Sequence, residues 1–174
     1  MSQLLVKGLQ ARNKTFGPQL SVNCRRTFLG GWLKAWTTQR LIYPPPQSEF
    51  TTKNRIIPTY ITSSTELYDF ILFKEPVLLN FTYSDPKSNK VTQALFDILS
   101  NSKKYPKDSE KDPVYLVNIS ADTEGGRELM QTYVVGNQIP AIVVLKKQVP
   151  VYRYVPNIET FSEQDLIEWI KTIE

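Results

Sequence analysis

Short β-branched apolar runs alternate with segments whose apolar residues recur at helical spacing, and this alternation confines the chain to an α/β architecture. Val77-Leu78-Leu79-Asn80-Phe81 is apolar but for one residue, the pattern of a strand covered on both faces. Downstream, Val91, Ala94, Leu95, Ile98 and Leu99 recur at i, i+3, i+4, i+7 and i+8, the strongest helical pattern in the chain. Between them, Ser84-Asp85-Pro86 reads as a turn and helix cap, because an aspartate accepts from free helix N–H groups and proline suits the first turn. Residues 55–61 form a β-branched stretch whose Pro58 suits an edge strand. Ser63-Ser64-Thr65-Glu66 has the form of a capping box opening a helix with Leu67, Phe70 and Ile71 on one face, which Pro76 stops.

Residues 114–119 are the next strand, and Glu124-Gly125-Gly126 leads to a helix carrying Leu129, Met130 and Tyr133. Two strands, 141–145 and 149–155, are joined by the link Lys146-Lys147-Gln148 and so form a hairpin. Ser162 and Asp165 cap a last helix with Leu166, Trp169, Ile170 and Ile173 on one face. The order β-α-β-α-β-α-β-β-α predicts a mixed sheet with helices on both faces, and residues 101–112 a charged surface loop.

Composition closes several routes to chemistry. Histidine is absent, which removes His-based triads, imidazole bases and the commonest metal ligand. Cys24 is the sole cysteine, so neither an intramolecular disulfide nor a Cys-based zinc site can form. No apolar run approaches the roughly 18 residues that span a bilayer.

The formal charge of +4 is unevenly placed. Residues 1–48 carry Lys7, Arg12, Lys14, Arg25, Arg26, Lys34 and Arg40 and no acid; setting these seven aside leaves 14 basic against 17 acidic residues. The remainder is therefore net acidic, without an electrostatic motive for binding DNA. An acid-free, Arg-bearing segment with Ser, Thr and Gln among Leu, Phe and Trp is the composition of a mitochondrial transit peptide, expected over residues 1–40. Arg26-Thr27-Phe28-Leu29-Gly30-Gly31 resembles a two-step matrix processing site, with the mature chain starting near residue 36. The alternative is an uncleaved basic arm that binds RNA or anionic lipid. Residues 41–54, with Pro44-Pro45-Pro46, are expected to be an extended linker, and residues 55–174 the folded domain.

Over residues 55–174 the element order, with Ile139-Pro140 opening a strand after the third helix, is similar to the thioredoxin family. Residues 77–83 resemble its central strand, 117–122 the strand that follows, 129–135 the next helix, and Ile139-Pro140 its cis-proline. Counting on from Asn80-Phe81, the family's Cys-x-x-Cys falls on Pro86-Lys87-Ser88-Asn89, so the resemblance places Pro86 and Asn89 where the two sulfurs would be. Its buried acid corresponds to Asn80, which does not titrate. The resemblance thus implies a thioredoxin-like α/β fold with a cis bond before Pro140 and without dithiol chemistry. It also implies a groove, bordered by Tyr83, Ser84, Asp85, Asn137, Gln138, Ile139 and Pro140, in which the Ile139 main chain meets an extended peptide.

The expectation is a non-enzymatic protein-binding module of the mitochondrial matrix, an assembly factor or small subunit that binds other mitochondrial proteins without metal or cofactor. Two alternatives stay open: a glutathione-binding or glutathione-transferase-like enzyme using Ser84, and the RNA-associated arm. Asp122 and Glu124 beside Gly125-Gly126 read as a solvated turn, too few ligands for a metal. Tyr152 and Tyr154 share one face of the hairpin and read as sheet cover.

Overall fold

The computed structural model describes residues 40–105 and 113–173. Cys24, the processing motif and the centre of the charged loop lie outside the described residues. Strands β1 (Arg55–Ile61), β2 (Val77–Thr82), β3 (Tyr115–Ser120), β4 (Ala141–Lys146) and β5 (Val149–Tyr154) form one sheet in the order β1-β3-β2-β4-β5. β1 and β2 run parallel to β3; β4 is antiparallel to β2, and β5 to β4. The α-helices among the described residues are α1 (Ser64–Ile71), α2 (Pro86–Ser100), α3 (Glu124–Thr132) and α4 (Glu163–Lys171). The predicted mixed α/β sheet is the one observed.

Strand alternation sorts the apolar side chains into two cores. Leu78, Leu116, Ile142 and Val144 pack with Val91 and Leu95 of α2 and Leu166 and Ile170 of α4. Leu79, Phe81, Val117, Ile119 and Val143 pack with Leu67 of α1 and Leu129 and Met130 of α3. Burial on both faces is why β2, β3 and β4 read as nearly continuous apolar runs.

Both edge strands are blunted. On β1 the register shifts between Ile56 and Tyr60, around Pro58; on β5 Leu145 faces Pro150 and Val144 faces Tyr152, so Val151 is the extra residue. A proline and a bulge on each edge oppose pairing with another chain. The hairpin link is tighter than predicted: Lys146 pairs with Val149, leaving Lys147 and Gln148 as a two-residue turn with both φ positive, as a primed hairpin turn requires.

The caps follow local chemistry with one variation. Asp85, Thr123 and Ser162 accept from Ser88, Gly126 and Asp165 main-chain N–H groups at the starts of α2, α3 and α4. At α1 only half the predicted capping box forms: Ser63 makes no side-chain cap bond, and Glu66 reaches one residue further back to accept from Thr62 N at 2.8 Å. That main-chain hydrogen bond holds the exposed Glu66 carboxyl below its usual range.

Residues 41–54, expected to be a linker, pack onto the domain as a strap. Ile42 and Phe50 rest on the α2/α4 core. The Asn89 side chain donates to Arg40 O at 2.7 Å, and the Tyr60 hydroxyl donates to Ile42 O with its ring edge-on to Tyr43. Burial pushes the Tyr60 hydroxyl well above its usual range, so it stays protonated as a donor. At the far end, Thr51 N donates to Ser100 O, and Thr52 Oγ1 and Asn54 Nδ2 both donate to Leu99 O. These last carbonyls of α2 lack intrahelical donors, and the strap supplies them. A proline run sets a locally extended path; these side-chain donors decide that it docks.

Candidate functional site

The two segments expected to border a groove lie at the same end of the sheet. The β2–β4 ladder ends at Phe81 opposite Ala141, so Tyr83 and Ser84, which follow Phe81, and Gln138 and Ile139, which precede Ala141, lie beyond the same end of that ladder. Tyr83 and Ile139 are half-buried against the α1/α3 core, Asn137 and Gln138 are exposed, and Pro140 is buried after a cis peptide bond. Ile139 lies outside the strand ladder, and no main-chain hydrogen bond joins residues 137–139 to another described segment.

Ser84 is fully engaged. Its N–H and its hydroxyl both donate to Asp122 Oδ2, at 2.9 and 3.0 Å. This ties the β2–α2 turn to the β3–α3 turn, and Arg127 steadies the latter by donating to Asp122 O. Asp122 therefore works as a latch between turns. Among the described residues no group of three or more His, Cys, Asp or Glu side chains could hold a metal ion.

Asp85 Oδ1 accepts from Ser88 N at 2.7 Å, and Pro86 occupies the first turn. The carboxylate is thus committed to the helix N-terminus, where negative charge is favoured. Pro86 is exposed, whereas Asn89 is buried and anchors the strap.

Beneath that turn lies a buried polar layer. Asn80 of β2 sits opposite Asn118 of β3, and its Nδ2 donates to Asn118 Oδ1 at 2.9 Å and to Thr92 Oγ1 at 3.0 Å. Thr92 donates on to Thr82 Oγ1, which donates to Tyr83 O. A directed chain of hydrogen bonds therefore runs from the sheet interior to the main-chain carbonyl of Tyr83. Asn118 and Thr92 were not singled out from the sequence, although a lone polar residue inside an apolar strand, as at Asn118, is the available signal.

The other wall is shaped by the end of α3. Val135 N donates to Met130 O and Val134 N to Gln131 O, a Schellman closure that puts Val134 in the left-handed region at φ 53°. A β-branched residue is strained there, and its side chain is 75% exposed, so packing does not repay it. The Arg153 guanidinium clamps the loop by donating to Val134 O and Val135 O. Val134→Gly is expected to raise the unfolding free energy by about 0.5–1 kcal/mol, read as a higher urea midpoint at unchanged slope. Arg153 too was missed in the sequence; Tyr154, by contrast, stacks on Trp169 as sheet cover.

Sheet order, helix placement and the turn before Pro140 together define a thioredoxin-like α/β fold. Among solved structures, a redox protein from Chlamydomonas reinhardtii is similar over 69% of this chain and 35% of its own, with 13% identity and a TM-score of 0.51. Thioredoxin O2 from Arabidopsis thaliana is similar over 68% of this chain and 93% of its own, with 14% identity and a TM-score of 0.49. Mitochondrial thioredoxin 3 from Saccharomyces cerevisiae is similar over 66% and 94%, with 16% identity and a TM-score of 0.49. At such identities the likeness is one of fold alone. No protein-family model and no curated protein matches the sequence.

Proposed function

We propose that this chain is a non-redox, protein-binding thioredoxin-like module of the mitochondrial matrix, acting as an assembly factor or small subunit. The observation that carries the reading is the Ile139 main chain, outside the strand ladder among the described residues and packed with Tyr83 against the same core, with exposed Asn137 and Gln138 preceding it. Because both sheet edges are blunted by a proline and a bulge, this segment is, among the described residues, the main-chain surface at this end of the sheet best suited to an extended partner. Three features argue against chemistry at the site. The first turn of α2 is Pro86-Lys87-Ser88-Asn89, without sulfur; Asn80 below it carries no proton to transfer at neutral pH; and the Ser84 hydroxyl, the candidate thiolate donor, is bonded to Asp122. Among the described residues no helix is long and apolar enough to cross a membrane. Processing near residue 36 would remove six of the seven basic residues before Glu49 yet spare the strap, held at Arg40 by Asn89.

The test places a photo-crosslinking amino acid at Gln138 in the C-terminally tagged chain, with Lys171 of α4 as control position, and recovers the bait from mitochondria. A defined set of crosslinked proteins from Gln138 and not from Lys171, with a bait N-terminus near residue 36, is the expected result. A bait that emerges uncrosslinked and monomeric from both positions overturns the binding reading. A bait retaining residues 1–35 overturns the matrix-processing reading alone.

A further inference from the structure

We infer that the buried polar layer between β2, β3 and α2 is a binding site for a single internal water molecule, held by Asn80, Asn118 and Ser88. Three side-chain atoms there have no partner among the described residues: Asn80 Oδ1, Asn118 Nδ2 and Ser88 Oγ. All three residues are at most 1% exposed. Buried polar atoms are rarely left unpaired, because desolvation without a replacement hydrogen bond is unfavourable.

The three side chains face the same layer between β2, β3 and α2. Asn80 and Asn118 are cross-strand partners on the face that carries Leu78 and Leu116 towards α2. Ser88 lies one helical turn before Thr92, which already bonds Asn80, so both project from the same side of α2. The ligand's chemistry follows from the unmatched set of one acceptor, one N–H donor and one hydroxyl. A cation meets the acceptor but is repelled by the N–H donor; an anion meets the donor but is repelled by the amide oxygen. A neutral molecule that both donates and accepts satisfies all three, and water does so within the usual 2–4 hydrogen bonds of an internal site. Rotating both amides end for end swaps which atoms are unmatched and still leaves one donor and one acceptor for the same water. Bound there, the water extends the chain Asn80–Thr92–Thr82–Tyr83 O at its buried end.

The experiment is water-selective NMR on the isotope-labelled full chain, reading cross-relaxation from water to the side-chain amide protons of Asn80 and Asn118. A long-lived internal water gives cross-peaks of opposite sign in NOE and ROE spectra at the Asn118 amide, and these are expected to persist in Ser88→Ala, which keeps two of the three partners. Absence of such cross-peaks at both amides in the unaltered chain overturns the inference. Loss of the peaks in a folded Ser88→Ala also overturns it, because the signal was then relayed by the hydroxyl proton.

Discussion

Asn54→Ala is expected to lower the unfolding free energy by about 3 kcal/mol, a large loss for a residue outside every helix and strand. Asn54 is 1% exposed and clasps three segments. Its Nδ2 donates to Leu99 O at the end of α2, its Oδ1 accepts from Val114 N just before β3, and its carbonyl accepts from Gln47 of the strap. Alanine strands the Val114 N–H without a partner, removes one of two donors from Leu99 O, and opens a small void. Asn54→Asp separates these effects. Its carboxylate can still accept from Val114 N, but when ionised it faces the Leu99 carbonyl at a helix C-terminus, where negative charge is unfavourable. Burial and that carbonyl raise its folded-state pKa above the unfolded value of about 3.9. A raised carboxyl pKa means the folded state binds more protons than the unfolded one, so the variant is most stable in acid and loses stability as pH rises through the folded pKa. Urea midpoints should therefore show the Asp variant closer to the unaltered protein at pH 4 than at pH 8. An Asn54→Ala cost below about 1 kcal/mol would remove the clasp from this account.

What the sequence disclosed and what it hid divide by range. Strands, helices and most caps rest on periodicity and on residues within four positions of one another, so residues 77–81, 86–100 and 163–171 could be read directly. Pro58 announced its edge strand because a missing N–H is tolerated only where no ladder needs it. The strap was hidden because Pro44-Pro45-Pro46 describes a local backbone path, whereas docking depends on Tyr60, Asn89, Leu99 and Ser100 across the fold. At the groove, the helix-cap role of Asp85 was local and legible, but Ser84 was not: its partner Asp122 reaches it only because β2 and β3 run parallel in register. Val134 gave no signal, since the left-handed position at a helix end is ordinarily announced by Gly or Asn.

The polar layer bears on function through what it lacks. Every hydrogen-bonded side chain in the chain from Asn118 to Tyr83 O is an amide or a hydroxyl, so none titrates across the physiological range. A reactive centre draws on perturbed ionisable groups; a docking surface needs main-chain groups held in place. The strand ends that carry Tyr83 are fixed here by neutral hydrogen bonds, an arrangement consistent with the proposed docking role.

Gly126→Ala is expected to cost about 3 kcal/mol or more, and more than Gly125→Ala. A Cβ at Gly126 would lie 1.9 Å from Ser120 O and 2.8 Å from Ser120 C, both main-chain atoms at the end of β3. No rotamer moves a Cβ, so α3 itself must lift. The same carbonyl accepts from Thr123 N and Thr123 Oγ1, and that hydroxyl oxygen accepts from Gly126 N, so lifting the helix breaks its own cap. It also withdraws Leu129 and Met130 from the core under Phe81 and Val117. At Gly125 the added Cβ would lie 2.3 Å from Thr62 O and 2.8 Å from Ser63 Cα. Those atoms are main chain of the turn before α1, which Glu66 and Thr123 also hold, so about 2 kcal/mol is expected, less than at Gly126 because the approach is less close. Paired urea titrations decide the order: equal costs, or a Gly126→Ala cost under about 1 kcal/mol, would mean that α3 is not seated on Ser120. The consequence reaches the groove, because the end of α3 delivers the loop that Arg153 clamps and that continues to Ile139. On the proposed docking role, Gly126→Ala should therefore weaken crosslinking at Gln138 even under conditions where the variant remains folded, whereas Gly125→Ala, acting at the turn before α1, should leave it intact.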